Sequence, residues 1–215
     1  MLALLALPLL IVAHPVLAAE ECTRADTPFV RLNENYGDVR YIAASSAEIR
    51  RLHGRHARPV AGWEPIGITL AELGLGISVS VRSFQMSNGR FCSFLSAVEA
   101  NVGYDAIDVY ILRKYQRGSC EYSVVLNHER EHVVVFESTL SEYLPRLRST
   151  IEESAVSIEP IRSRDRNKAA QQMRRELSDA VSGLLDEISA TLDRRNARLD
   201  TIESYRRLQR ECSSW

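Results

Sequence analysis

The sequence predicts an α+β fold: a small antiparallel β-sheet packed on one central helix and on a long C-terminal amphipathic helix. Three observations carry this expectation. Ile77, Val79 and Val81 alternate with Ser78, Ser80 and Arg82, the two-residue period of a half-buried strand. At Gly118-Ser119-Cys120 the apolar period changes from two to about 3.6 residues. From Ser163 onward, Met173, Leu177, Val181, Leu184, Ile188, Leu192, Leu199 and Ile202 recur at three- and four-residue steps among Arg, Asp and Glu, which is the stripe of an amphipathic helix.

Taken in order, the chain opens on Met1 to Ala19, which carries no formal charge. It contains the apolar run Leu2 to Ala13, then Val16-Leu17-Ala18-Ala19 with small residues suited to signal-peptidase cleavage. This reads as a secretory signal peptide that lacks the usual basic residue ahead of its apolar run. The run is too short for a comfortable membrane span, so no stable membrane insertion is expected after cleavage. Residues 20–215 suit one domain with a single core.

Residues 39–44 suit a short strand, and Ser45-Ser46-Ala47-Glu48 offers a capping box for a short helix through Leu52. Gly54, Pro59 and Gly62 then mark a loop. The alternation around Ile77 shifts phase toward Phe84 and Met86, which predicts a bulge. Asn88-Gly89 predicts a hairpin turn into a strand from Phe91 to about Val102, and a last strand covers Ile107 to about Tyr115. Ser119 is the expected N-cap of the central helix, which runs to about Leu144 and is kinked or ended by Pro145. The C-terminal stripe predicts one long helix or two, packed back on the sheet and central helix rather than used for a coiled-coil dimer.

With 27 basic and 28 acidic residues and a pI near 6.5, the chain presents no bulk field for nucleic acid or an anionic membrane. Four cysteines, Cys22, Cys92, Cys120 and Cys212, form an even set in an exported chain, so two disulfides are expected. Cys92 begins a predicted strand and Cys120 starts the central helix, which favours pairing them and leaves Cys22 and Cys212 to tie the termini. No two cysteines have the close spacing of a four-cysteine zinc site.

The central helix carries His128-Glu129-Arg130-Glu131-His132, flanked by Val124-Val125-Leu126 and by Val133 to Phe136. Apolar flanks on both sides bury such a helix almost all round. Two histidines four apart point the same way and can reach one Zn²⁺, while Glu129 can hold the water bound to the metal. The competing reading is a pair of satisfied core histidines. Glu131 also completes the reversed pattern His-x-x-Glu-His, with the same ligands. The two carboxylates, about 200° apart on a helical wheel, cannot both face the metal, and Glu129 is preferred because the forward pattern is the commoner.

A catalytic zinc needs a third protein ligand and an open position. No histidine follows His132, so the candidates are carboxylates. Glu137 points half a turn away from His128. His53 and His56 lie in the basic stretch Arg50 to His56 and read as surface loop residues, and His14 leaves with the signal peptide.

With these elements in place, the chain resembles a family of predicted secreted bacterial zinc-dependent proteases of zincin-like fold. The resemblance covers nearly all of the mature chain. It runs through the Tyr41 strand with its Ser-rich helix start, the Cys92 strand, the Gly118-Ser119-Cys120-Glu121-Tyr122 lead-in, the His128 to His132 motif, and Asp200-Thr201-Ile202-Glu203-Ser204-Tyr205. It implies a metallopeptidase domain over residues 20–215, located in the periplasm or secreted and acting on peptide or protein substrates. In the family a late Asp-containing helical segment accompanies the histidine motif. Asp200-Thr201 with Tyr205 looks like its counterpart, without the His-Gly that often follows there, and this makes Asp200 the first choice for third ligand. Glu203, roughly on the same face, is the second.

The implied mechanism is metal-assisted hydrolysis. Zinc lowers the pKa of its water, Glu129 accepts the proton and returns it to the leaving amine, and zinc with a nearby donor stabilises the oxyanion; Tyr205 and Tyr143 are the candidates for that donor, although both read first as packing residues. The competing class is a non-catalytic exported protein in which zinc, or no metal, staples helix to sheet and the C-terminal helix is a docking surface. An open coordination position favours the enzyme; a fourth protein ligand favours the staple.

Overall fold

The computed structural model describes residues 21–24, 26–56, 64–213 and 215. The expected signal peptide and the Pro59 to Gly62 part of the expected loop lie outside them. In chain order the described elements are β1 (Phe29–Asn35), β2 (Asp38–Ala44), α1 (Ser46–His56), β3 (Gly67–Gln85), β4 (Phe91–Leu112), α2 (Cys120–Ser157), β5 (Ile161–Ser163), α3 (Arg166–Leu199) and α4 (Ile202–Leu208). The mixture of helix and sheet agrees with the sequence at the level of class.

β4 is the axis of the sheet. β3 runs antiparallel along one side of it. Along the other side, end to end, lie β5 against residues 91–93, β1 against 97–103 and β2 against 106–112. β1 and β2 are parallel to β4, which corrects the expectation of an antiparallel sheet. The cause is the route of the chain. β2 ends opposite Leu112 and β3 begins opposite Ile111, so the segment containing α1 crosses from one side of β4 to the other at the same end. β3 therefore returns antiparallel to β2, and the Asn88-Gly89 hairpin turns β4 back into β2's direction. That hairpin forms as expected, closed by Met86 N–H to Arg90 O at 2.7 Å and Gly89 N–H to Met86 O at 2.9 Å.

Where the sequence suggests two strands, Phe91 to Val102 and Ile107 to Tyr115, there is one. Around the middle of the strand its buried positions are Val98, Ala100, Val102 and Tyr104, then Ile107, Val109 and Ile111. The phase flips because Asp105 and Ala106 together oppose Glu72, a bulge between the Ala71 and Leu73 pairs. A second register shift, between Ser80 and Val81, leaves Ser96 as the extra residue on β4. The bulge expected near Phe84 of β3 is thus on the partner strand. Beside the first bulge Gly103 has φ +144°, and a Cβ there would lie 1.7 Å from the carbonyl oxygen of Asn35. β1 and β4 approach so closely at this point that only glycine fits.

α1 is capped as expected, with Ser45 Oγ accepting from the Glu48 N–H at 3.3 Å. It runs on through His56, so His53 and His56 are helical rather than in a basic loop. Ser119 caps α2, accepting from the Tyr122 N–H at 3.1 Å. Pro145 does not end this helix, which continues to Ser157. A proline inside a helix costs about 3 kcal/mol, while burying a residue such as Leu147 or Ile151 completely returns about 1.5–3 kcal/mol each. Pro145 also sits on the solvent side, where the carbonyl it leaves without a donor can reach water.

α3 buries Ala169, Met173, Leu177, Val181, Leu184, Ile188, Thr191 and Leu192, so the stripe packs inward on α2 and the sheet. α3 and α4 are separate helices, and Ile202 is exposed because it follows the break. At the centre of the core the Tyr104 hydroxyl donates to the Phe136 carbonyl at 3.2 Å.

The disulfides are Cys22–Cys92 and Cys120–Cys212, not the expected Cys92–Cys120 and Cys22–Cys212. Because β4 is one continuous strand, Cys92 near its start and Cys120 beyond its end are separated by roughly 65 Å of extended chain. A disulfide needs Cα atoms within about 7 Å. Two disulfides using all four cysteines fit an oxidising environment. Among the described residues no helix is long and apolar enough to cross a membrane.

Candidate metal centre

His128 and His132 are one helical turn apart on the buried side of α2, each 6 % exposed. α3 runs alongside and stops where the chain reads Asp200-Thr201, two short polar residues that favour helix ends. Asp200 closes α3, its N–H bonded to the Asn196 carbonyl. Thr201 caps α4, its hydroxyl accepting from the Ser204 N–H at 3.1 Å. The break aims the Asp200 carboxylate at α2. Its Oδ1 lies 3.1 Å from His128 Nε2 and 3.3 Å from His132 Nε2, and the three groups offer ligand atoms within 4.8 Å of one another.

These spacings fit an ion. Around a tetrahedral zinc with bonds of about 2.0–2.2 Å, neighbouring ligand atoms stand about 3.3–3.6 Å apart, close to the two His–Asp distances. His132 Nδ1 is 2.9 Å from Asn196 Oδ1. Donation there leaves the Nε2 lone pair facing the cluster, the tautomer a metal ligand requires. Among the described residues His128 Nδ1, which is buried, has no hydrogen-bond partner. Its other nitrogen, Nε2, is turned toward Asp200 and is the atom available to an ion. The group can hold a metal ion.

Electrostatics follow from the same contacts. Burial favours the neutral form of Asp200, but hydrogen bonds from His128 and His132 outweigh it and hold the carboxyl well below the usual range. Burial likewise disfavours charge on His132, yet the bond to Asp200 and the charge of Glu129 push it up to about 9. Tyr205 donates to Asp200 Oδ1 at 2.9 Å; burial and that neighbouring carboxylate raise its phenol, which stays protonated.

Glu129 is buried beside the histidines and turns toward β3. The Thr69 hydroxyl donates to its Oε2 at 2.8 Å. On the other side Gly67 leaves room for the carboxyl: a Cβ there would come 2.4 Å from Oε1. Burial raises the Glu129 pKa, opposed by His132, His128 and the Thr69 bond.

The structure brings together His128, His132 and Asp200 with Glu129 next to them. Glu203 and Glu131 are exposed, and neither Glu137 nor His53 joins the group. Tyr143, considered as a donor, bonds to Glu187 and Thr191 instead, while Tyr205 is at the centre. Sequence reasoning missed Asn196, Thr69 and Gly67. Asn196 had a signal, one turn before Asp200 on the same helix; the other two become visible only when β3 is laid against α2. No family model, curated protein or solved structure matches the chain significantly.

Proposed function

We propose that the protein is a zinc-dependent hydrolase, a metallopeptidase of zincin-like type working in the periplasm or outside the cell, as the resemblance to predicted secreted zinc-dependent proteases implies. The observation that carries the reading is the convergence of two imidazole Nε2 atoms on one Asp200 oxygen at 3.1 and 3.3 Å, next to a buried carboxyl that is not part of the group. His128, His132 and Asp200 would hold the ion. Two imidazoles and a carboxylate are the donor set of a catalytic rather than a structural zinc, and among the described residues no fourth His, Cys, Asp or Glu joins them.

Zinc bound there supplies an acidified water and polarises the scissile carbonyl. Glu129 takes the proton. Thr69 donates to Oε2, so Oε1, beside Gly67, would be the atom free to receive it. Once the water oxygen had bonded to the carbonyl carbon and the C–N bond broke, Glu129 would deliver the proton to the leaving amine nitrogen. A carboxyl pKa raised by burial suits both halves of this exchange near neutral pH. Tyr205 holds Asp200 and, with Asn196, fixes the ligand geometry.

The test is zinc content by mass spectrometry together with cleavage of a mixed peptide library. Zinc-loaded wild type is expected to cleave and zinc-loaded Glu129→Gln is not. Equal cleavage by both would remove Glu129 from its role, and a zinc-loaded wild type that cleaves nothing would favour the structural staple.

A further inference from the structure

The centre is assembled from two parts of the chain, and they are anchored very differently. The histidines lie on α2, locked into the core by Val125, Val133 and Phe136. Asn196, Asp200 and Tyr205 lie beyond Leu192, the last buried apolar residue of α3. From there to the end of the chain only Ser204 and Cys212 are buried among the described residues. α4 is seven residues long and buries only Ser204. Apart from Cys212 itself, the segment carrying the third ligand therefore has no fully buried apolar side chain among the described residues.

Among the described residues its remaining ties are polar or at the surface, apart from the ring of Tyr205, which stands edge-on to His128 at 6.0 Å. Arg195 donates to Thr139 and Glu142, Asn196 meets His132, and the ring of Trp215, 40 % exposed, stands edge-on to Tyr115 at 5.9 Å. Exposed ion pairs contribute little each. The covalent tie is of another kind. Cys212, seven residues after Tyr205, is bonded to Cys120, the first residue of the helix that carries the histidines. Cys22–Cys92 ties the N-terminal segment to the hairpin end of β4 and touches none of this.

We propose that Cys120 and Cys212 are positioning residues of the metal centre: their disulfide holds Asp200 against His128 and His132, so the centre gains its third ligand, and binds zinc tightly, only once the two thiols are oxidised. The proposal rests on the metal reading above. In the oxidation one thiol attacks a protein or small-molecule disulfide, and the other then attacks the mixed disulfide so formed at its Cys120 or Cys212 sulfur. The Cys120–Cys212 S–S bond forms, the oxidant's S–S bond breaks, and two electrons and two protons pass to the oxidant, which leaves as two thiols. A chain still in a reducing compartment would thus carry two histidines without their carboxylate, a weak zinc site, and load its metal after export.

The test compares full-length mature protein with Cys120→Ser/Cys212→Ser and Cys22→Ser/Cys92→Ser variants, using amide hydrogen exchange and zinc affinity by chelator competition. Loss of the first pair is expected to speed exchange in residues 194–208 about tenfold or more while β4 and the middle of α2 stay protected. Zinc affinity is expected to fall about 10- to 100-fold. Loss of the second pair should change neither. Unchanged protection of 194–208, or unchanged zinc affinity, in the first variant overturns the proposal. A wild type that binds no zinc overturns the metal reading and the loading step with it, while exchange still decides the tether. Should the first variant not fold, the same readouts on mildly reduced wild type apply. Loss of protection throughout would then overturn the proposal, because the bond would be a tie of the whole fold.

Discussion

Thr69 on β3 donates its hydroxyl to Glu129 Oε2 on α2 at 2.8 Å, so the carboxyl beside the histidines is held by the sheet and not by its own helix. Thr69→Val keeps the shape and removes the donor. Losing a hydrogen bond to a buried charged group costs about 1.5–3 kcal/mol. The urea midpoint is expected to fall accordingly with an unchanged slope, zinc should be retained, and Thr69→Ser should restore most of the loss.

Gly67 is the other wall of that slot. In Gly67→Ala the new Cβ would stand 2.4 Å from Glu129 Oε1 and 2.9 Å from Val125 Cγ1, so the carboxyl must turn away. Zinc binding is expected to survive while peptide cleavage drops at least about 100-fold, the lower end of what a positioned general base contributes. Full cleavage by Gly67→Ala would mean that this carboxyl position does not matter.

Gly103→Ala probes the seam where β1, β2 and β4 meet. Its φ of +144° and the 1.7 Å approach to the Asn35 oxygen leave no relaxed position for a methyl group. The expected loss is about 3 kcal/mol or more, or roughly 6–12 °C in thermal midpoint for a chain of this size. Gly76→Ala, with nothing within 4 Å, serves as the control and should be near neutral.

The site was more legible in the sequence than the sheet was. His128, Glu129 and His132 announce themselves because a helix fixes which residues share a face, while Asp200 has no local signal and reaches the histidines only because the break between α3 and α4 turns it toward them. The strands were harder. β4 looks like two strands because a bulge at Asp105-Ala106 flips its alternation, and a phase flip reads in one dimension like an end. From that one error came the wrong disulfides, since Cys92 and Cys120 are near each other only if β4 stops early. The parallel placing of β1 and β2 depends on which side of β4 the chain crosses to, and no local pattern encodes it. Pro145 misled for a related reason: its cost is local, while the burial of Leu147 and Ile151 that outweighs it is tertiary.

His132 gives the centre a pH signature. Its folded pKa of about 9 lies above the unfolded value of 6.5. In the metal-free protein its proton therefore contributes stability that is full below about 6.5 and lost as pH rises through 9. Zinc must displace that proton, so zinc affinity runs the other way, rising with pH up to about 9 and levelling above. Urea unfolding of metal-free protein and chelator competition over this range check the two slopes. Zinc affinity that is flat across it would contradict the assignment of His132 as a ligand.

The two glutamates of the motif separate cleanly. Glu129 is buried and Glu131 is exposed, so Glu129→Gln is expected to abolish cleavage with zinc retained, and Glu131→Gln to leave both within about twofold, as for an ordinary surface change. Kinetics on one cleaved peptide decide it, and the reverse ranking would restore the inverted motif.

Anomalous diffraction at the zinc edge, from crystals of protein purified without chelators and grown with excess zinc, tests the metal centre most directly. The expected result is one peak about 2.0–2.2 Å from His128 Nε2, His132 Nε2 and an Asp200 carboxylate oxygen, weakened in Asp200→Ala and unchanged in Asp193→Ala. Zinc bound elsewhere, or no peak while His128 and His132 stay hydrogen-bonded to Asp200, would contradict it.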